Sequence, residues 1–372
     1  MVSAVFGEVM HAKRVQSLAD GTVGTMHAAT LAVSTIGRAL AQAKGLEPKH
    51  AIKQVDRLLS NQGIDVDRAQ ALWAAFAVGA REEVVVALDW TEYDRDRHST
   101  LALHLVTSHG RATPLLWKTV SKSRLAGKRN AHEDRLIKRL RAVLPENVKV
   151  TVLADRGFGD ACLYALHWEL ELDHIIRFRG DVTVTDANGE SRPAKDWLLP
   201  SGRARIMRDV KVTGYKRPVA AVVCVWAKGM KEPWFLACGE GSRGRTAAQL
   251  VKLYGRRFTI EENFRDTKDL RFGMGLSSMR VSSVKRRDRM LLLSALATAL
   301  LTLLGAAGES LGFDRLLRAN TVKHRTHSLF FQGTYYYGAL ATMKPAKRHA
   351  LMRRFDKLLR EHAVFCEIFG VL

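Results

Sequence analysis

The stretch EVVVALDWTEYDRDRHSTLALHLV, residues 83–106, decides the fold. Val84 to Leu88 form an unbroken apolar run rich in β-branched side chains, which predicts a strand. The run closes on Asp89. Leu101 to Val106 repeats the texture as a second strand, and Thr113 to Val120 as a third. Further along, a charged helix is expected near Ala131 to Val143, a strand at Val148 to Leu153, a helix at Ala161 to Leu172 and a strand at His174 to Phe178. Three strands, then helix, strand, helix and strand make an α/β core with a mixed sheet.

That order resembles an RNase H-like core, which fixes the expected organisation of the chain. Residues 1–80 show apolar residues at helical spacing and turn signals at Gly45 to Pro48 and Gln62 to Asp65, as in a small helical N-terminal domain. Residues 81–180 are the first part of the core. Residues 181–243 break the alternation with short β runs at Arg205 to Val212, Val219 to Trp226 and Trp234 to Cys238, a β-rich insertion. Residues 244–310 return to helix as the second part of the core, with one helix expected from Arg245 to about Leu270. Residues 311–372 form a basic helical C-terminal region. The uncharged run Met290 to Gly308 is long enough to span a bilayer, but its Ser, Thr and Gly residues and the charged stretch before it favour a buried core helix.

Composition narrows the partners. The 372 residues carry 59 Lys+Arg against 37 Asp+Glu, a net charge of +22, and residues 251–372 alone hold 22 basic and 10 acidic side chains. A surface so basic favours a polyanion, and nucleic acid is the expected partner. With only 8 Pro and 47% hydrophobic residues, disordered and fibrous classes are excluded. Cys162, Cys224, Cys238 and Cys366 are widely spaced in apolar runs and read as buried free thiols of a reducing compartment, with no structural zinc. No secretory signal opens the sequence, so a cytoplasmic, membrane-free location is expected.

Two acids close strand runs: Asp89 after Val84 to Leu88, and Asp155 after Val150 to Ala154. Asp160 is the better cap for the helix at Ala161, which leaves Asp155 without a structural task. In the helix expected from Arg245, Tyr254, Arg257, Glu261 and Lys268 fall within about 60° of one another at ~100° per residue, so one acid stands among three donors. Glu262 lies about 100° further round. Farther upstream, Lys49, Lys53 and Arg57 line one face of Pro48 to Ser60, either as a recognition helix or as a solvated basic face.

Tyr, two residues, Arg, three residues, Glu, six residues, Lys resembles the signature of the insertion-sequence-four group of bacterial DDE transposases, and IEENFRDTKDLRFGMGL (260–276) is similar to its transposon-ten type. HAIKQVDRLLSN (50–61), LDWTEYD (88–94), LADRGFGD (153–160), KEPWFLA (231–237) and RANTVKHR (318–325) extend the resemblance over about residues 30 to 330. Arg156 departs from the small residue expected there, and nothing from Thr334 onward is matched.

The resemblance implies a cut-and-paste transposase that binds transposon ends as a homodimer and cleaves through a hairpin. It implies Asp89, Asp155 and Glu261 as the catalytic carboxylates and ligands of two Mg2+ ions, with Mn2+ an alternative. Such a site clamps the attacking and leaving oxygens of a phosphoryl transfer. Tyr254, Arg257 and Lys268 are then phosphate contacts. Trp234, in KEPWFLA, is either a stacking platform for a flipped base or a core residue of the insertion. A transposase-derived binder without activity and an RNase H-like nuclease are the alternatives to a transposase. Gly239, Gly241 and Gly244 spell GxGxxG, but the acids that follow sit inside a helix and not at a strand end. The glycines therefore read as a turn and not as a dinucleotide site.

Overall fold

The computed structural model describes residues 1–361; Cys366 and the end of the basic tail lie outside the described residues. Helices α1 (Val2–Phe6), α2 (Ala12–Ala28), α3 (Val33–Lys44), α4 (Pro48–Ser60) and α5 (Val66–Val78) come first. The turns between them follow local chemistry. Gly45 adopts φ +65 after α3, a conformation that glycine enters without strain, and Pro48 opens α4 at a position where its missing N–H costs nothing.

The expected alternation then appears. Strands β1 (Glu83–Tyr93), β2 (His98–Leu105) and β3 (Thr113–Ser121) precede α6 (Arg129–Val143), β4 (Lys149–Ala154), α7 (Ala161–Glu169) and β5 (Asp173–Phe178). Asp160 caps α7, accepting from the backbone N–H groups of Cys162 and Leu163 at 2.8 and 2.9 Å. Five further strands follow: β6 (Thr183–Thr185), β7 (Ser191–Pro193), β8 (Arg205–Val212), β9 (Arg217–Val225) and β10 (Trp234–Cys238). Helices α8 (Ala247–Gly255), α9 (Thr259–Lys268), α10 (Val284–Ser310), α11 (Leu329–Ala339) and α12 (Pro345–Arg360) complete the described chain.

All ten strands form one sheet in the order β3-β2-β1-β4-β5-β10-β9-β8-β6-β7. β4 runs parallel to both β1 and β5, and the other pairings are antiparallel. The β runs of residues 181–243 therefore do not build a separate layer. β10 pairs with β5, which would otherwise expose a row of unpaired backbone groups, and β9, β8, β6 and β7 extend the sheet outward.

Both faces of the central strands are covered, which is why Val84 to Leu88 shows no polar alternation. Val84, Val86 and Leu88 join a cluster that includes Leu18, Leu58, Trp73, Leu293 and Leu296, so the helices on either side of residue 80 share one core. Val85 and Ala87 face the other way, onto Leu250, Tyr254 and Ile260. α10 is long and apolar enough to cross a membrane, yet 78% of its most apolar window is buried inside the protein. It meets α11 so closely that a Cβ at Gly305 would stand 1.9 Å from the carbonyl oxygen of Leu329, and one at Gly333 would stand 1.7 Å from that of Leu301.

The outer edge of β3 is closed by side chains from two helices. Gln70 donates to the Trp117 carbonyl at 3.1 Å and accepts from the Trp117 N–H at 3.3 Å. Asp288, on α10, accepts from the Thr119 N–H at 3.0 Å. Burial pushes the Asp288 carboxyl up to about 7 from an ordinary 3.8. Between those values the folded chain holds a proton that the unfolded chain has lost, so this stabilising contribution is complete at low pH and fades as pH rises toward 7. Asp288→Asn keeps the acceptor for Thr119 and removes the charge. It is expected to raise the melting temperature more at pH 8 than at pH 4, as read by thermal unfolding at the two values, and an equal shift at both would show that ionised Asp288 costs the fold nothing.

Candidate active site

The β1–β4 register sets the site. Leu88 pairs with Ala154 as the last parallel partners, so Asp89 and Asp155 lie side by side; Asp155 follows the end of β4, whereas Asp89, expected to close its strand, sits within β1, which runs on to Tyr93 against β2. Each aspartate is fixed by its own backbone: Asp89 Oδ1 accepts from the Trp90 N–H at 2.8 Å, and Asp155 Oδ1 accepts from the Gly157 N–H at 2.8 Å. The second bond corrects the expectation that Asp155 has no structural task, since it closes the turn toward α7. Burial pushes the Asp89 carboxyl up to about 6, and the charges of Asp155 and Glu261 add to the rise while the guanidinium of Arg257 opposes it. Carboxylates crowded in this way accumulate negative charge that a cation relieves.

Glu261 reaches Asp89 from the face of the sheet onto which Val85 and Ala87 point, by a route the sequence did not reveal. The single helix expected from Arg245 to Leu270 is two helices. α8 starts at a capping box between Thr246 and Gln249 and ends at Gly255; a 3-10 turn, Arg256–Phe258, then leads into α9. The tighter winding of such a turn rotates the chain by about 20° more per residue, which shifts Arg257 relative to a continuous helix. Arg257 points inward, its side chain only 7% exposed, and bridges two acids: it donates to Asp89 Oδ2 at 3.1 Å and to Glu261 Oε1 at 2.6 Å. Glu262 faces elsewhere, pairing with Arg265 at 2.5 Å and lying 3.5 Å from Arg111.

The other sequence candidates fall in different places. Tyr254 is buried, and its ring meets that of Trp234 edge-on at 5.0 Å, so it walls the site from beneath. Trp234 is half-buried at the start of β10, between Tyr254 and Phe258. Lys268, at the end of α9, donates to Thr91 Oγ1 at 3.0 Å and to the Glu92 carbonyl at 2.8 Å, tying α9 to β1. An open groove of about 670 Å3 is lined among others by Asp89, Trp90, Glu261, Arg265 and Lys268, but by neither Tyr254 nor Trp234. Lys49, Lys53 and Arg57 are exposed along α4, whose other side packs so tightly on α3 that a Cβ at Gly37 would stand 2.5 Å from the Cα of Ile52.

Three hard oxygen donors suit a divalent cation of the Mg2+ class. The donor set fits such an ion, but the present spacing does not, because Glu261 is turned onto Arg257. Among the described residues, no three His, Cys, Asp or Glu stand close enough together to hold a metal.

Two supports of the site carried no signal in the sequence. The Trp90 indole donates to Glu133 Oε1 at 2.7 Å and lies under the Arg129 guanidinium at 5.0 Å, so α6 holds the side chain that follows Asp89. Arg156, the departure noted in the second acidic motif, pairs with Glu232 at 3.0 Å, and Arg177 reaches the same carboxylate at 2.9 Å. The loop after Asp155 is thereby tied to the segment before Trp234. The cysteine expectation needs one correction: Cys224 and Cys238 are buried free thiols, but Cys162 is exposed, on the outer side of the first turn of α7.

The glycine motif lies at the far end of the sheet. Gly239 and Gly241 sit against Asp173, where Cβ atoms would stand 2.3 and 2.7 Å from its carboxylate oxygens, so these glycines let the chain close over a buried acid. They border a cavity of about 1430 Å3, larger than the groove beside Asp89, whose lining includes Tyr164, His167, Asp173 and His174 and none of Asp89, Asp155 or Glu261. Size does not mark the site here; the gathered carboxylates do.

The sequence model of one family, described as transposase DDE domain, matches residues 80–300, which span β1 through most of α10 and hold all three carboxylates. No curated protein matches the chain.

Proposed function

The chain belongs to the family defined by the transposase DDE domain, and from that membership we propose that it is a cut-and-paste transposase of the insertion-sequence-four group, transposon-ten type. Its core is RNase H-like, and Asp89, Asp155 and Glu261 are its catalytic carboxylates. One observation carries the reading: the parallel β1–β4 register sets Asp89 beside Asp155, and Arg257 links Asp89 to the helix-borne Glu261. An inactive DNA-binding descendant has no need of all three acids.

The three carboxylates would hold two Mg2+ or Mn2+ ions, which when bound supply Lewis-acid activation of the attacking oxygen and stabilise the leaving one. The chain's own groups do the rest. Lys268 fixes α9 against β1 and so holds Glu261 in line with Asp89. Arg257, once engaged with DNA, places a planar pair of donors on a backbone phosphate, and Lys268 adds charge beside it. Tyr254 supports Trp234 from below, leaving the indole able to receive a base displaced from the stack. Lys49, Lys53 and Arg57 on α4 read the transposon end. The sequence of events is a first nick by water, attack of the freed 3′-hydroxyl on the opposite strand to form a hairpin, reopening by water, and joining to target DNA. The assembly on paired ends is a homodimer, working in the cytoplasm at the nucleoid.

Incubating the protein with the DNA that flanks its own coding sequence, in Mg2+, tests this. Hairpins and joined strands support it; nicks alone point to a nuclease, and mobility shifts without cutting to a binder. Asp89→Asn, Asp155→Asn and Glu261→Gln are each expected to abolish cleavage while end binding persists. Glu262→Gln, which changes a side chain turned away from the site, is expected to cut normally. Any one of the three carboxylate variants that still forms hairpins removes that residue from the proposed site.

Trp234→Ala separates its two roles. A stacking platform is worth about 1–3 kcal/mol per base, so the first nick persists while hairpin formation falls, and an abasic nucleotide at the flipped position restores much of the loss. A packing role instead lowers the melting temperature and slows nicking, hairpin formation and joining alike.

A further inference from the structure

Arg257 stands where the proposed cation site must form. Its guanidinium takes one oxygen of Asp89 and one of Glu261, and the side chain is 7% exposed while that of Glu261 is 50% exposed. The charge cannot be titrated away, because a guanidinium keeps its proton at any physiological pH. Only Asp155 is outside this bridge, with its Oδ1 engaged by the Gly157 N–H. A divalent ion entering now has to displace a fixed monovalent one from two of its three ligands.

We propose that Arg257 is an internal counter-ion that closes the cation site until a backbone phosphate draws it away, so that metal and DNA bind cooperatively. The inference rests on the reading of Asp89, Asp155 and Glu261 as metal ligands. Its physical basis is exchange between like partners. A backbone phosphate offers a guanidinium a full negative charge and two paired oxygens on a single group, in place of one oxygen from each of two carboxylates. When Arg257 turns to a phosphate, Asp89 loses its neighbouring cation and Glu261 is free to rotate about its exposed side chain toward Asp89. The carboxylate edge then carries uncompensated negative charge, and its affinity for a divalent ion rises. Linkage makes the effect reciprocal: DNA raises metal affinity by the factor by which metal raises DNA affinity, and couplings of this kind are about 5- to 150-fold. A protein built this way holds metal poorly away from DNA and is spared stray phosphodiester cleavage.

The test measures binding, not turnover. Mn2+ is titrated calorimetrically into the full chain alone and into the chain saturated with a random-sequence duplex, with a DNA-only titration subtracted. Duplex affinity is measured by fluorescence anisotropy with and without Mn2+ at constant ionic strength. For the wild type, each ligand is expected to tighten the other by the same factor, at least about 5-fold. Arg257→Ala is expected to bind Mn2+ more tightly than wild type without DNA, and to lose the DNA-dependent gain. Arg257→Gln, which keeps most of the side chain's bulk without its charge, serves if the alanine variant is unstable. Glu262→Gln should behave as wild type. Equal Mn2+ affinity with and without duplex in the wild type overturns the proposal, as does a folded Arg257 variant that binds free Mn2+ no better. If Asp89→Asn and Asp155→Asn leave Mn2+ binding untouched, the metal-ligand reading itself fails, and the counter-ion role falls with it.

Discussion

Parallel pairing of β1 with β4 is the constraint from which the rest of the molecule follows. Antiparallel neighbours would send their terminal residues to opposite ends, whereas this register sets Asp89, still within β1, beside Asp155, just past the end of β4, after the Leu88–Ala154 pair. Parallel neighbours cannot be joined by a tight turn, and the chain crosses back through β2, β3 and α6 before β4 begins. That crossover is not idle chain. α6 carries Glu133 and Arg129 onto the Trp90 ring, so the connection that permits the parallel register also steadies the strand beyond Asp89. The arrangement runs against the fold's own preference. Burial and two neighbouring acids hold the Asp89 carboxyl near 6, and the Arg257 guanidinium and the Trp90 N–H work in the opposite direction. Groups held so far from their ordinary protonation state cluster at functional sites, where stability yields to chemistry.

The two faces of the sheet divide the labour. On one, α10 forms a buried spine that also reaches the edge strand through Asp288 and packs against the N-terminal helices through Leu293. On the other, α8 and α9 lie over Val85 and Ala87 with Leu250 and Ile260, and deliver Glu261 across the top of the sheet. Glu261 therefore depends on packing nearly a strand's length away. Lys268 closes that arm by bonding to β1 itself, two and three residues past Asp89. The carboxylates are thus fixed relative to one another by elements on both faces, as a constellation requires when small displacements are costly.

How much of this the sequence disclosed follows from the range of each interaction. Strand runs such as Val84 to Leu88, the Asp160 cap and the apolar length of α10 are local patterns, and each appears in the structure where its residues indicate. The position of Asp155 after its strand was legible for the same reason, whereas Asp89 closes an apolar run but lies within β1, which pairing with β2 carries on to Tyr93. The 3-10 turn at Arg256–Phe258 was not legible, since two adjacent arginines suit either helix equally well and the choice is made by the carboxylates that Arg257 meets, one of them 168 residues away in sequence. Nor could a charged stretch such as Arg129 to Arg135 show that Glu133 would be buried against an indole. Extension of the sheet by β6 to β10 was hidden in the same way, because the edge it covers belongs to β5, more than fifty residues upstream of β10. Cys162 sits in an apolar run, but on the outer side of a helix turn.

Charge shows the same gap between composition and structure. Residues 251–372 hold 22 of the 59 basic side chains, and a count alone assigns them to a polyanion. Several are spent inside the protein. Arg287 is fully buried, paired with Asp96 and stacked on the Tyr93 ring at 3.8 Å; Arg289 bonds to the Leu59 carbonyl; Arg257 and Lys268 are committed to the carboxylate edge and to β1. What remains for solvent includes Arg265 in the groove, Lys252 on α8, Arg271 and Arg280 between α9 and α10, Lys285 at the start of α10, Arg315 and Lys323 beyond it, and Lys347, Arg348, Arg353 and Lys357 on α12. Long-range attraction of DNA depends on charges of this kind, which stand in water and release counter-ions on contact. The buried arginines act over a few ångströms only. They set the geometry of the site, and one of them, Arg257, can join the DNA-facing set only by leaving the acids it now neutralises.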